Sequence, residues 1–301
     1  MIELSIEPGS NLFIQDLTGT MQKDELGKYN KLVFEKLLET EKKGNTSILY
    51  TLLHVPDGCG LIEGAHLLVF AGGHTYGTLG VSSLDDVITA RAGNILSKQD
   101  AATGIIDVNL PGEEENGVKV LEDPIFPQKK LLVFGAGHIA LPLVEMASVL
   151  GYQTIVVDDR QELVSRERFP HASKLVCASF EEVFDNGLIS SIDAATSIVI
   201  VTRGHAYDRL CLSKVIASDA CFIGMIGSRN KVKTNFRALL EMGANKEQLK
   251  RVSAPIGFDL KGQRPAEIAL SILAEMVACE HGGSGERLSS KFKEEMNLFD
   301  E

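Results

Sequence analysis

A strand, turn, helix and strand pattern over residues Leu131–Arg160 constrains the fold of this chain more than any other feature. It begins with a short apolar run typical of a buried strand, followed by Gly135, Gly137 and Ala140 in the spacing G-x-G-x-x-A. A helix-length apolar segment, a stopping glycine and a second apolar run come next. This order predicts the first half of a nucleotide-binding Rossmann sheet.

The small residues of this pattern have separate physical roles. Gly135 lets the chain turn sharply out of the strand, and Gly137 leaves room for a phosphate to approach the backbone. Ala140 allows the helix to pack closely, and the helix N-terminus offers free N–H groups to an anion. Asp158 ends the second strand about 20 residues later, where a carboxylate can accept hydrogen bonds from a ribose. The alternative is a doubly wound sheet whose glycine turn binds no ligand.

The composition argues against several classes of protein. The net charge is −11 and there is no basic stripe, so we expect no nucleic-acid partner. No apolar run approaches the roughly 18 residues that a membrane span needs, and the N-terminal residues do not resemble a signal peptide. The 5 cysteines form no C-x-x-C pair, and the histidines other than His138 and His205 show no ligand spacing. We therefore expect a cytoplasmic protein with reduced thiols, no membrane contact and no metal site.

The pattern of elements indicates two domains of different class. Strands and helices alternate over residues 130–281, which predicts a Rossmann-type parallel sheet; Gln161–Phe169 is predicted there as a short helix. Residues 1–115 are predicted to form a smaller α+β domain. We place a linker at residues 116–129 and a mobile tail at residues 282–301. The predicted fold class is therefore α/β, with an α+β domain in front of the Rossmann domain.

Three polar loops are expected at the carboxyl ends of the parallel strands. Two of them follow predicted strands and begin at Thr202 and Gly227, and the third begins at Ala254. In open parallel sheets ligands bind beyond the carboxyl ends of the strands, so we expect these loops to surround one crevice together with the glycine turn. The candidate ligand-binding residues are Gly135, Gly137, His138, Ala140, Asp158, Arg203, His205, Gly227, Ser228, Arg229, Lys231 and Asp259.

Cations in these loops are candidates for phosphate binding. Arg203 follows one strand, and Arg229 and Lys231 lie at the start of a predicted helix. Cations at a helix N-terminus oppose the helix dipole, which favours an anionic ligand beside them. The alternative is that Arg229 and Lys231 belong to a solvated first turn. Asp259 could likewise be a turn residue.

Three residues are candidates for proton transfer, namely His138, His205 and Asp208. His205 and Asp208 are three positions apart and could instead cap the helix that follows them. No catalytic residue is assigned from the sequence.

Several long motifs occur in order over roughly residues 130 to 280: GAGHIALPL, VVDDR, TRGHAYDRLCL, FIGMIGSRNKV and PIGFDLKGQRPAEIALSILAEMVA. Their order resembles the xanthine dehydrogenase accessory (XdhC/CoxI) family. The resemblance implies a cytoplasmic, commonly dimeric protein that binds molybdenum cofactor and helps its sulfuration. It also implies delivery of the cofactor to a molybdenum hydroxylase client such as xanthine or carbon monoxide dehydrogenase, with a cysteine desulfurase as a further partner.

The N-terminal domain departs from the family pattern. GTLGVSSLD, residues 77–85, aligns with the family's turn G-S-I-G-G-G-C-L-E, so that Ser83 stands at the cysteine position and Val81 and Ser82 replace glycines. A thiolate is a soft metal ligand and can carry sulfur, whereas a hydroxyl cannot. We therefore expect cofactor handling at this turn to be altered or lost, with Cys59 as a candidate substitute for the missing cysteine.

Three hypotheses of function follow. The leading one is a molybdenum-cofactor maturation factor that binds and delivers the cofactor and is not a turnover enzyme. The second is an NAD(P)-dependent oxidoreductase that uses the same glycine fingerprint, with His138 or His205 as the acid or base. The third is a regulatory module that senses a nucleotide and docks on a partner.

Overall fold

The computed structural model describes residues 23–56, 58–98, 102–109, 117–187, 191–290 and 292. The chain forms two compact units, Met1–Pro127 and Gln128–Glu301, called here the first and second units. Residue 291 and residues 293–301 of the predicted mobile tail lie outside the described residues, and the prediction of mobility stays untested. No helix of the described ranges is long and apolar enough to cross a membrane.

The first unit is built on an antiparallel sheet of strand order β3-β2-β1-β5-β4. Side chains alternate across β1: Ile48, Tyr50 and Leu52 pack with one helix, and Leu49 packs with Val33 of the other. This alternation places the two helices on opposite faces of the sheet. The elements are α1 (Lys23–Lys42), β1 (Ser47–His54), β2 (His66–Phe70), β3 (Thr75–Gly77), α2 (Ser82–Lys98), β4 (Gly104–Asn109) and β5 (Gly117–Ile125).

The segment predicted as a linker is for the most part a strand of this sheet. β5 pairs with β1 on one side and with β4 on the other. Its Glu122 is buried and accepts hydrogen bonds from Tyr50 Oη at 3.0 Å and Arg91 Nε at 2.7 Å. The first unit therefore continues past residue 115, because these distant partners satisfy a charge that looks solvent-exposed in the sequence.

The second unit contains a six-stranded parallel sheet of order β11-β10-β9-β6-β7-β8. The chain runs outward through β6, β7 and β8, returns to the other side of β6, and runs outward again. The predicted α/β class with a Rossmann-type sheet is confirmed. The elements are β6 (Lys130–Phe134), α3 (Ala140–Val149), β7 (Gln153–Asp158), β8 (Lys174–Cys177), α4 (Phe180–Asp185), β9 (Thr196–Ile200), α5 (His205–Val215), β10 (Phe222–Met225), α6 (Arg229–Glu241), α7 (Lys246–Lys250), β11 (Val252–Ser253) and α8 (Pro265–His281).

The strand β6 is apolar on both faces because helices cover both sides of the sheet. Leu131 and Val133 lie in a core shared with α3 and α8, whereas Leu132 and Phe134 face α4, α5 and α6. Continuous apolar runs are typical of such doubly covered parallel strands. The two cores fix the carboxyl end of β6, where the glycine turn begins.

The predicted helix over Gln161–Phe169 does not form. The segment consists of separate turns, in which Val164 N–H donates to the carbonyl of Gln161 and Phe169 N–H to that of Ser165. Pro170 follows directly and disfavours the helical conformation of the residue before it. Buried side chains at Val164 and Phe169 hold the turns against the core of α3 instead.

Candidate ligand-binding crevice

The glycine turn has the sharp bend at Gly135 and the open space at Gly137 that the sequence predicts. Gly135 has φ of +109°, and a Cβ there would lie 2.5 Å from the carbonyl oxygen of Val201. Only glycine fits this position without strain. A Cβ on Gly137 would meet no atom within 4 Å, so the turn is open on that side. Ile139, the N-cap residue of α3, offers no side-chain acceptor, which leaves the first N–H groups of the helix to a ligand.

Asp158 is bound to the turn itself. Its carboxylate is 1% exposed and accepts from the backbone N–H of Ala136 at 2.7 Å. Arg160 donates from Nε and Nη2, both at 2.7 Å, and from its backbone N–H at 3.0 Å. Each carboxylate oxygen therefore accepts two hydrogen bonds, which fills its usual capacity. The structure assigns Asp158 to the glycine turn, where the fingerprint alone predicted a contact with a ribose.

The charge on Asp158 is stabilised despite its position. Burial opposes ionisation, but the hydrogen bonds from Arg160 and Ala136 outweigh it and hold the pKa of Asp158 below its usual range. The carboxylate thus stays ionised and keeps its bonds to the turn at neutral pH.

Arg203 is held between a carboxylate and an aromatic ring. Its Nη2 lies 2.7 Å from Oδ2 of Asp159, and its guanidinium carbon lies 5.3 Å from the ring centroid of Tyr207. The Tyr207 ring in turn packs on Phe180, with 5.2 Å between centroids. Arg203 remains 45% exposed and can reach a ligand as well as Asp159.

Asp208 lies in the first turn of α5, beside the loop that follows β9. It is 6% exposed and accepts a hydrogen bond from Thr202 Oγ1 at 2.5 Å. Burial raises the pKa of Asp208, although Thr202, His205 and Lys231 act in the opposite direction. Asp208 therefore lies near both His205 and Lys231, while the third predicted proton-transfer candidate, His138, lies in the glycine turn after β6.

The loop after β10 brings the other predicted cations to the same edge of the sheet. Ser228 caps α6 by accepting from the N–H of Lys231 at 3.4 Å. Lys261 first, and Arg229 at longer range, hold the pKa of Asp259 below its usual range. Arg229 thus lies near the loop that follows β11, where Asp259 is an exposed residue paired with Lys261 at 2.6 Å.

The loop after β11 is fastened to α8 by contacts that the sequence did not reveal. Gly257 has φ of +102° and donates its N–H to the carboxylate of Glu275. A Cβ on Gly257 would lie 2.5 Å from Oγ of Ser271, so this position also requires glycine. Glu275 therefore positions the loop. The one sequence signal for this role is that Glu275 lies in the last of the ordered motifs, PIGFDLKGQRPAEIALSILAEMVA.

Arg168 is a candidate site residue that the sequence pattern does not indicate. Its Nη2 donates to the carbonyl of Ala136 at 3.3 Å, and its buried Nε has no hydrogen-bond partner among the described residues. This places a cation beside Ala136, which lies between Gly135 and Gly137 in the glycine turn. Arg168 comes from the irregular segment that the sequence predicts as a helix, and its sequence neighbours carry no signal for this contact.

The first unit contains the turn that departs from the family pattern. Asp85 accepts from Thr78 Oγ1 at 2.6 Å and from the N–H of Leu79 at 2.8 Å, which fixes the turn before α2. Ser83 is half-buried in the first turn of α2. Across the described residues, no group of three or more His, Cys, Asp or Glu side chains could hold a metal ion.

The second unit matches a known family over most of its length. Residues 131–276 match the model described as the XdhC Rossmann domain. The domain at these residues belongs to the XdhC family. The family predicted from the ordered motifs is confirmed, and the first unit lies outside the matched residues.

Two curated relatives share part of the chain. The uncharacterized protein YqeB of Escherichia coli K12 is 30% identical over 156 residues, which are 52% of this chain and 28% of that protein. A probable xanthine dehydrogenase subunit from Bacillus subtilis 168 is 26% identical over 179 residues, 60% of this chain and 51% of that protein. The chain thus spans about half or less of these relatives. A crystal structure of a xanthine dehydrogenase from Bacillus halodurans aligns with 20% identity and a TM-score of 0.45, over 85% of this chain and 98% of that chain.

Proposed function

We propose that this chain is an accessory protein of a xanthine dehydrogenase-type molybdenum hydroxylase, and that it holds the molybdenum cofactor while the client enzyme is matured. The observation that carries the proposal is the XdhC Rossmann domain with an open, uncapped glycine turn at residues 135–139. The Bacillus subtilis relative described as a probable xanthine dehydrogenase subunit supports a client of this class.

The cofactor is cargo in this proposal, and the crevice fits its phosphate. Gly137 leaves open space at the turn, and the first N–H groups of α3 have no side-chain cap. Arg203, Arg229 and Lys231 add positive charge from the loops after β9 and β10. These residues would bind and orient the phosphate, while the pterin and its metal carry the redox chemistry of the client.

Sulfuration needs a sulfur carrier that Ser83 does not provide. A serine hydroxyl neither binds molybdenum as a thiolate does nor carries persulfide sulfur. The proposal therefore places a cysteine desulfurase beside the client as the source of sulfur. A homodimer is part of the proposal on the strength of the family alone.

The NAD(P)-dependent oxidoreductase is the rival that the glycine fingerprint favours. Against it, Asp158 has both oxygens filled by Arg160 and Ala136 and has no free acceptor for a ribose diol. The third hypothesis, a regulatory module, uses the same crevice to bind a nucleotide and does not require that a cofactor be delivered. Whether the chain retains molybdenum cofactor distinguishes the accessory protein from the oxidoreductase and the regulatory module.

The test is anaerobic reconstitution of the full chain with molybdenum cofactor, followed by desalting and oxidation to a fluorescent pterin. We expect pterin fluorescence in the protein fraction, reduced in Arg229→Gln and Gly137→Val. Lys250→Gln is the matched control, because it removes an exposed cation paired with Glu247 on α7. Absence of retention, together with thermal stabilisation by NADH, would replace the accessory protein with the oxidoreductase. Absence of both would leave the regulatory module.

A further inference from the structure

An ion pair joins the two loops that flank the glycine turn. Arg203 follows β9 and lies 2.7 Å from Asp159, which follows β7. β7 and β9 pair with opposite edges of β6. The Arg203–Asp159 bridge therefore crosses the carboxyl end of β6, where Gly135 begins the turn.

The span of the bridge suits its position at the mouth of the turn. Neighbouring strands are about 4.8 Å apart, so β7 and β9 are separated by roughly 10 Å, a distance that a long arginine side chain can cover. The bridge and the N-terminus of α3 thus both lie at the carboxyl end of β6. The guanidinium of Arg203 also contacts the Tyr207 ring, and this cation–π contact does not depend on which acceptor Arg203 binds.

The charges around the bridge cancel. Asp158 and Asp159 face Arg160 and Arg203, which gives two acids and two cations. Asp158 is committed to Arg160 and Ala136, and Arg160 approaches Asp159 only to 3.9 Å. Asp159 is thus the carboxylate that pairs with Arg203. A phosphate can offer the same planar guanidinium two acceptor oxygens, whereas Asp159 provides the single acceptor Oδ2.

We propose that Asp159 controls entry to the crevice by competing with the phosphate of the ligand for Arg203. The free chain holds Arg203 on Asp159, and a phosphate monoester or pyrophosphate group enters by taking the guanidinium from it. This proposal rests on the proposed function in one respect, which is that a phosphate-bearing ligand occupies the crevice. A bridge that only fastens the two loops together would have the opposite effect on binding, because its removal would loosen the site.

The experiment is a double-mutant cycle on the full chain, with inorganic pyrophosphate as the probe in isothermal titration calorimetry. We expect Asp159→Asn to bind pyrophosphate about 2- to 5-fold more tightly, as expected when a partly exposed ion pair is removed as competitor. Arg203→Gln should bind more weakly than the unchanged chain. Adding Asp159→Asn to Arg203→Gln should bring no gain, because the two residues act through one contact.

Asp107→Asn is the matched control for net charge. Asp107 is an exposed carboxylate paired with Lys119 in the first unit, and its loss should leave pyrophosphate binding unchanged. Weaker or equal binding by Asp159→Asn would overturn the proposal, as would an equal gain in Asp107→Asn. Absence of pyrophosphate binding in every variant would also overturn it, together with the phosphate-binding part of the proposed function. A cycle that behaves as expected while the chain retains no molybdenum cofactor would leave this proposal standing and remove only the accessory role.

Discussion

The carboxylate of Asp158 accepts the backbone N–H of Ala136 at 2.7 Å, so the last residue of β7 holds the glycine turn that follows β6. In the usual fingerprint an acid at this position faces the ribose of a dinucleotide. Here Arg160, two residues further along the chain, donates hydrogen bonds to both oxygens of the carboxylate, so that Asp158 is paired within the protein. The acid of the fingerprint thus stabilises the glycine turn through its hydrogen bond with Ala136.

We predict that Arg160→Gln destabilises the second unit by about 2 kcal/mol, because it leaves the buried Asp158 charge with fewer partners. The pKa of Asp158 is lowered in the folded chain, so its contribution to stability is present above the unfolded value of 3.8 and is lost as the pH falls through the folded pKa. Arg160→Gln should raise the folded pKa and weaken this loss. Denaturant unfolding at pH 7 and in the acid range measures both effects. Equal stability of Arg160→Gln and the control Lys250→Gln at pH 7 would contradict the assignment.

The glycine turn offers a second prediction with internal controls. Gly135→Ala should cost about 3 kcal/mol or more, because the Cβ would lie 2.5 Å from the Val201 carbonyl at φ of +109°. Gly151→Ala has a positive φ of +82° in open space and should cost only about 1 kcal/mol. Gly137→Ala has neither problem and should change stability by less than about 1 kcal/mol. Thermal unfolding of the three variants gives the order directly, and a Gly135→Ala chain as stable as Gly137→Ala would refute the geometry.

The predictable part of the fold follows from local periodicity. β6, α3 and β7 are visible in the sequence because both faces of the strands are apolar and the glycines punctuate them. β5 falls within the predicted linker because it lies between an acidic turn at residues 112–117 and the stretch Pro124–Pro127, although Lys119–Leu121 alone is predicted as a strand. The burial of Glu122 depends on Arg91, 31 residues away, and on Tyr50, 72 residues away. No local pattern contains that information.

The same limit applies to the crevice. The loops after β9 and β10 can be recognised from polar residues at strand ends, since the carboxyl ends of parallel strands share one edge. The occupation of Asp158 by Arg160 and the approach of Arg168 to Ala136 are not predictable, because both depend on the direction of a long side chain. Sequence spacing places a residue near a site but does not say which partner it takes.

Asp208 gives a third prediction, on stability against pH. Its folded pKa is raised mainly by burial, so it favours folding most below the unfolded value of 3.8, and this contribution is lost as the pH rises through the folded pKa. Asp208→Asn removes the buried charge and keeps an acceptor for Thr202. We expect it to stabilise the chain at pH 7, on the order of 1 kcal/mol, with the gain shrinking toward acid pH. A loss of stability at pH 7 would show that the carboxylate is held by partners rather than penalised by burial.

Arg168 gives the last prediction, which concerns binding. Its guanidinium touches the Ala136 carbonyl at 3.3 Å and has a buried Nε without a partner among the described residues, so it is a cation that the turn can offer to a phosphate. Arg168→Gln should weaken pyrophosphate binding by about 10-fold, the size of one charge-assisted hydrogen bond, and change stability by less than about 1 kcal/mol. Arg168→Lys should restore part of the affinity because it keeps the charge and loses the planar fork. Lys250→Gln again controls for net charge. If Arg168→Gln unfolds at a lower temperature yet binds pyrophosphate as tightly as the unchanged chain, Arg168 only braces the turn.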